Sequence, residues 1–310
     1  MSIIRSIGAC GLLTLLSGAA LNAQQYTFQS FEVPTQGKST TFTAGMNSRG
    51  EVAGYFQYSD HDLPYYRGFR RYSDGKFEEP IAVPGADLGD TWAKSVNDSH
   101  EIGGYYAGAD GQYHGFLDNA GVFTTFDAEG GPSTFIQTVD DAGDFAGFFG
   151  DFPLAQNHGF ISKGGIVTQI DVPGTPDSTE IWGMDGTGAV AGCANGFGQP
   201  FFRTADGKFV QFAIAHENFG CATGIRSELG LVAGFFNDGK RLLGFVLDYR
   251  SPGSQPDPLT GAVKVTPILY PGSSQTQVWG MNALGQLSGL AYLDGKYIGF
   301  IATPTAAPTN

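Results

Sequence analysis

Charge is scarce in this chain, and what there is leans one way. Of 310 residues, 15% are charged, with 17 Lys and Arg against 30 Asp and Glu and a formal net charge of −13. Nucleic acids and anionic membranes are held by basic surfaces, so this balance excludes both as natural partners. Cysteine is rarer still, with three in the chain, too few for a disulfide-built scaffold. Helical periodicity is missing beyond the first twenty residues, which excludes bundles and alternating α/β folds. No apolar run is long enough for a comfortable membrane span. Catalytic signatures are missing as well: there is no Gly-x-Ser-x-Gly elbow and no His-Glu-x-x-His pair. "QGKST" at 36–40 imitates the end of a phosphate loop, but residue 32, where that loop needs glycine, is Glu32, and no helix follows.

Glycine is what the chain has in plenty: 47 residues, beside 13% aromatics. Much of it recurs in one phrase. "GMNSRGEVAGYF" begins at Gly45 and returns as "SVNDSHEIGGYY", "TVDDAGDFAGFF", "GMDGTGAVAGCA", "GIRSELGLVAGFF" and "GMNALGQLSGLA". The last glycines of the six copies are Gly54, Gly104, Gly147, Gly192, Gly234 and Gly289, spaced by 50, 43, 45, 42 and 55 residues. Each copy is followed by a Gly-Phe pair, as in "YHGFLDN" and "NHGFISK", with Pro200 in the glycine slot of the fourth. Next comes an extended run ending near proline, then a Ser/Thr-rich link. Four short strands per unit at this period predict a propeller blade.

The glycines fall into two kinds. Asn or Asp, two residues, then Gly spells a type I turn closed by a residue at positive φ. Gly50, Gly143, Gly188, Gly230 and Gly285 fill that slot, and His100 fills it once. The glycine in mid-strand marks a bulge or a close backbone approach; with one per unit, it is expected where neighbouring sheets pack. Runs such as "DFAGFF" are apolar on both faces, as strands buried between layers are. The last unit lacks its proline-ended strand, while "YTFQSFEVP" at 26–34 is such a strand without a unit. The expected fold is therefore all-β: a six-bladed β-propeller of four-stranded blades, closed by the N-terminal strand in the last blade. "SPGSQPDPLTG" at 251–261 reads as an inserted hairpin loop.

"MSIIR" followed by "SIGACGLLTLLSGAAL" reads as a secretory signal peptide over residues 1–23. The propeller then covers 24–303, and 304–310 form a flexible tail. Losing the leader removes one basic residue, Arg5, and takes the net charge to −14. Localisation is expected to be extracellular or periplasmic, and the protein a monomer. Cys193 and Cys221 remain, in adjacent units. They form either a disulfide between blades or two buried thiols, and sequence gives no distance to choose between them.

Residues 113–127, "YHGFLDNAGVFTTFD", and 157–174, "NHGFISKGGIVTQIDVPG", carry a resemblance. With the turn phrase, the chain resembles the bacterial HAF-type extracellular repeat, named for a His-Ala-Phe motif, over essentially its whole mature length. It departs in having Gly for Ala, and His in two units only, His114 and His158; Arg67, Gln199, Leu243 and Ile298 stand in that place elsewhere. The resemblance implies an exported propeller-like protein and brings no catalytic residues.

Candidate chemistry is thin. His114 and His158 share one repeat slot, which favours strand packing over metal binding. "SDHD" at 59–62 lacks the Asp-x-Asp-x-Asp-Gly order of a calcium loop, and "DDAGD" at 140–144 is accounted for by its turn. Trp182 and Trp279 share the slot before "GM", which favours packing between blades. No metal or cofactor is expected. The turns are uniform, whereas the loops at the opposite strand ends vary, and variable loops on a rigid scaffold are where ligands are met. Asp90, Trp92, Tyr65, Tyr66, Asp177, Glu180, His216 and Glu217 are expected to gather on that face, with Trp92 nearest the rim. Three function classes follow. The first is a secreted non-catalytic binding propeller for a glycan or protein. The second is a propeller-type glycan hydrolase or lyase, using two carboxylates. The third is a structural envelope protein.

Overall fold

The computed structural model describes residues 26–35, 39–60, 63–78, 80–151, 156–175, 178–214, 219–257 and 260–306. Six antiparallel sheets form six blades around one axis. Each inner strand is the "GMN" strand of its repeat: Ser39–Met46, Thr91–Val96, Ser133–Val139, Thr179–Met184, Gly220–Arg226 and Gln275–Met281. Inner strands of successive blades touch one another, and the last touches the first, so the ring is complete. Among the described residues, blade 1 has three regular strands. Its fourth is reduced to the bridges Gly68↔Ile81 and Arg71↔Phe77.

Closure uses the expected strand. Tyr26–Phe31 pairs antiparallel with Lys296–Pro304 of blade 6, from Tyr26↔Pro304 to Phe31↔Gly299, and so becomes that blade's outermost strand. Lys296–Pro304 reaches one residue past the expected propeller end. The expected leader, and 307–310 of the expected tail, lie outside the described residues.

The turns form as the spacing requires. Gly50 sits at φ 81° and its N–H donates to the Asn47 carbonyl at 3.2 Å, while Asn47 Oδ1 accepts from the Arg49 and Glu51 amides. His100, at φ 68°, adopts the same left-handed state. The Asn side chains also link blades. Asn282 Nδ2 donates to the Asn47 carbonyl, Asn47 Nδ2 to Asn97, and Asn97 Nδ2 to Asp140, at 2.9–3.0 Å. Aspartate cannot donate, and at Asp185 the direction reverses: its Oδ2 accepts from the Ser227 amide at 2.7 Å. The Ser/Thr-rich links have a similar reason. Thr41, Thr91, Thr134, Thr179 and Thr276 each accept, through Oγ1, the amide at the end of the preceding outer strand.

The mid-strand glycines correct an expectation. They do not make room for the neighbouring blade. A Cβ at Gly54, Gly104, Gly147, Gly192, Gly234 or Gly289 would collide with a carbonyl oxygen of the inner strand of its own sheet: Phe42, Trp92, Phe135, Glu180, Cys221 or Gln277 respectively. Opposite each glycine the pairing register shifts, so every inner strand bulges there. The glycine lets the carbonyl beside the bulge swing over its partner strand. Close approach between blades falls to other glycines. A Cβ at Gly45 would lie 2.8 Å from Ser95 Cα in blade 2, and one at Gly183 2.5 Å from the Thr223 carbonyl in blade 5. The Gly-Phe pairs serve both directions. Gly115 faces Ile136 of the next blade, while Phe116 covers Gly104 of its own sheet. The Phe of all six pairs, from Phe69 to Phe300, is fully buried.

Candidate functional site

A β-bulge re-aims the side chain of its extra residue. Six aligned bulges therefore present six side chains at one level: Ala44, Lys94, Gln137, Trp182, Thr223 and Trp279. All but Ala44 line a narrow channel along the axis. The frame repeats, but the residue at its bulge differs from blade to blade. Trp182 and Trp279 belong to the non-adjacent blades 4 and 6, yet their rings meet at 5.3 Å. They meet across the axis, so the expected packing between blades joins two that are not neighbours.

Above this level the channel opens into an aromatic bowl of about 370 Å³. Its walls are Phe42, Tyr55, Tyr66, Trp92, Tyr105, Tyr113, Phe135, Phe148 and Phe197, with Gln137, Glu180 and Trp182 deeper in. Trp92 stacks on Tyr105 at 5.2 Å and 19° between planes, and meets Tyr66 at 5.1 Å. Tyr105 in turn meets Phe135 edge-on at 5.0 Å, and Phe135 stacks on Phe148 at 4.7 Å. Such chains of rings hold one another in place and present rigid faces.

Three polar atoms in the bowl are buried without a hydrogen-bond partner: Gln137 Oε1, Glu180 Oε2 and Trp182 Nε1. Gln137 is 3% exposed and Glu180 is 4% exposed. The other oxygen of Glu180 accepts from Asn157 Nδ2 at 2.9 Å, which fixes the carboxyl. Burial pushes that carboxyl above the usual range, against the opposing pull of Asn157, Ser178 and the nearby Trp182 indole. That indole stands close enough to favour the charged form without closing a hydrogen bond to it. Buried polar atoms are almost always paired, and leaving one unpaired costs about 1–3 kcal/mol. Three such atoms lie together in this one aromatic depression.

Of the residues singled out by sequence, Tyr66, Trp92 and Glu180 come together in the bowl. Trp92 is half-buried in its wall rather than standing at the rim, because its strand runs beside the axis. Asp90 stands behind Tyr66, whose amide donates to its Oδ1 at 2.8 Å, and 3.7 Å from Arg67 Nη1. Burial raises its carboxyl, partly offset by these two contacts. Tyr65 faces elsewhere, stacked on Tyr58 at 5.6 Å. Asp177, His216 and Glu217 lie outside the described residues, as do residues 61–62 of the "SDHD" stretch. The two repeat-slot histidines are hydrogen-bonded as well as packed: His114 Nδ1 meets Asp127 at 2.8 Å and His158 Nδ1 meets Asp171 at 3.1 Å. Lys94, Gln137 and Tyr105 escaped the sequence reading. For Lys94 and Gln137 the signal was there: position three before the turn Asn or Asp is the bulge, and it is the variable member of an otherwise regular phrase.

Cys193 and Cys221 form a disulfide with Cα atoms 4.9 Å apart, joining blade 4 to blade 5. It packs with Phe235 beside Trp182 and Trp279.

A scan of known protein families finds no match, and a search of curated proteins finds none either. Solved structures share the overall shape at low identity. A virginiamycin B lyase from Staphylococcus aureus, solved with quinupristin, is 11% identical at a TM-score of 0.47, covering 89% of this chain and 99% of its own. A PQQ-bound aldose sugar dehydrogenase from Streptomyces coelicolor is 13% identical at 0.45, covering 91% and 99%. The six-bladed fucose-recognising lectin from Aleuria aurantia is 12% identical at 0.42, covering 88% and 97%. These are likenesses of shape and do not bear on what this chain binds. Among the described residues, no helix is long and apolar enough to cross a membrane.

Proposed function

We propose that the protein is an exported, non-catalytic binding propeller of the HAF-type repeat kind, whose axial bowl takes a saccharide. One observation carries the reading: rigid aromatic faces surround buried polar atoms that lack partners. A sugar ring offers both complements at once, an apolar face for stacking and a rim of hydroxyls for hydrogen bonds. Glu180 Oε2 and Gln137 Oε1 accept such hydroxyls, and Trp182 Nε1 donates to one. Binding is favoured over hydrolysis because glycoside cleavage calls for two facing carboxylates. Among the described lining residues of the bowl, Glu180 is the only one. A disulfide and an acidic surface fit an extracellular or periplasmic setting.

The test is calorimetry of the mature protein against a saccharide panel, repeated with Trp92→Ala. Loss of this wall is expected to weaken binding by about 1–3 kcal/mol, the scale of an aromatic anchor. Equal affinity in both forms would place the site elsewhere. Turnover of a polysaccharide would put the hydrolase reading first.

A further inference from the structure

The channel below the bowl holds a buried cation without an anion. Lys94, the bulge residue of blade 2, is 7% exposed. Its Nζ lies 5.6 Å from the centre of the Tyr55 ring, 5.2 Å from Trp182 and 5.4 Å from Trp279. These rings come from blades 1, 4 and 6, so the ammonium stands on the axis. Among the described residues no carboxylate pairs with it. Arg226, toward the other mouth, differs: it donates to the Met184 and Ile225 carbonyls, with Asp185 and Glu228 nearby.

Aromatic faces offset part of the cost of drying an ammonium, but they carry no net charge. A buried charge is otherwise matched by an opposite one. Blades 2, 3 and 4 set Lys94, Gln137 and Trp182 at one level, and Gln137 and Trp182 line both the channel and the bowl. Lys94 therefore stands where the floor of the bowl meets the channel. Trp182 Nε1, which closes no hydrogen bond although the Glu180 carboxyl is near it, belongs to the same floor. A carboxylate has two oxygens, one for each donor. Of the six bulge residues Lys94 alone is charged, so at this level of the axis its ammonium is the positive charge that an anionic ligand meets.

We propose that the bowl's ligand is an acidic saccharide whose uronate carboxylate docks on Lys94 Nζ and Trp182 Nε1, with its ring against the Trp92 wall. This rests on the saccharide reading above and narrows it. Gln137 and the unpaired oxygen of Glu180 then serve the hydroxyls.

The experiment compares matched pairs that differ only in charge: trimers of galacturonate, glucuronate and mannuronate, and their methyl esters, by calorimetry at neutral pH. At least one acid is expected to bind the wild type about tenfold or more tighter than its ester, as a desolvated charge pair requires. Lys94→Met should erase that preference, and Lys94→Gln serves as a second neutral variant, each checked for an unchanged fold by circular dichroism. Acids and esters binding the wild type equally would overturn the carboxylate assignment and leave the saccharide reading standing. A preference that survives both substitutions would overturn the role of Lys94. Benzoate brings a carboxylate and a ring without hydroxyls; binding as tight as the uronates would overturn the acidic-saccharide class. If no saccharide binds, neutral or acidic, both this inference and the reading beneath it fall.

Discussion

Replacing Lys94 by Met should make the protein more stable, not less. Met keeps most of the apolar stem against Tyr55, Trp182 and Trp279 and removes the charge. Burial lowers the amine from 10.5 to about 8, which corresponds to about 3 kcal/mol of disfavour for the charged form at pH 7. The three ring contacts return about 1–2 kcal/mol of this, so Lys94→Met should gain about 1–2 kcal/mol. At this chain size that raises the melting temperature by roughly 2–4 °C per kcal/mol. The pH dependence carries the sharper signal. Between about pH 8 and 10.5 the unfolded lysine still holds its proton while the folded one has lost it. Wild-type stability attributable to Lys94 therefore rises with pH across that window. Buried phenols act in the opposite sense at high pH, since burial raises Tyr55 and Tyr105 and the folded state keeps their protons longer. Subtracting the Lys94→Met curve from the wild-type curve cancels them. Thermal melts of both proteins from about pH 7 to 9.5 measure the difference, which should shrink as pH rises. A destabilised variant with a pH-independent gap would refute the reasoning and show that the aromatic cage stabilises the ammonium outright.

Deleting residues 26–34 removes the outermost strand of blade 6 and bares the edge of Lys296–Pro304; the truncated protein should aggregate or melt far below the parent, and an unchanged melt would refute closure. Gly147→Val drives a branched side chain into the Phe135 carbonyl of its own sheet and should cost about 3 kcal/mol or more by urea unfolding; a cost near zero would mean the bulge does not need glycine. Converting Cys193 and Cys221 together to Ala opens a bridge with a sequence separation of 28, and should cost about 3–4 kcal/mol on loop-closure grounds, read as a lower unfolding midpoint that added reductant no longer changes.

Much of this architecture is written locally, and locally written features can be read from sequence. Asn-x-x-Gly needs one left-handed residue and one side-chain acceptor, both within four residues. It therefore announces its turn wherever it occurs, and His100 takes the same φ without glycine. Four turns of this Asn- or Asp-led pattern, with one ending in His100 and one beginning at Ser227, recur once per repeat and count the blades. The orphan strand at 26–34 and the vacancy after Lys296–Pro304 state the closure, because a sheet edge must be paired or hidden. Tertiary structure decided the rest. The mid-strand glycines looked alike from sequence whether they served a neighbouring blade or their own. Only the register shift opposite each one shows that they admit a carbonyl from the same sheet. Whether Cys193 and Cys221 bond was equally a matter of distance, which the sequence does not carry. The bowl lay furthest from view. Lys94, Gln137 and Trp182 are 43 and 45 residues apart in sequence and become neighbours only when the ring closes. A repeat fixes each side chain's direction within its blade, but what it meets on the axis depends on five other blades, and no local pattern records that.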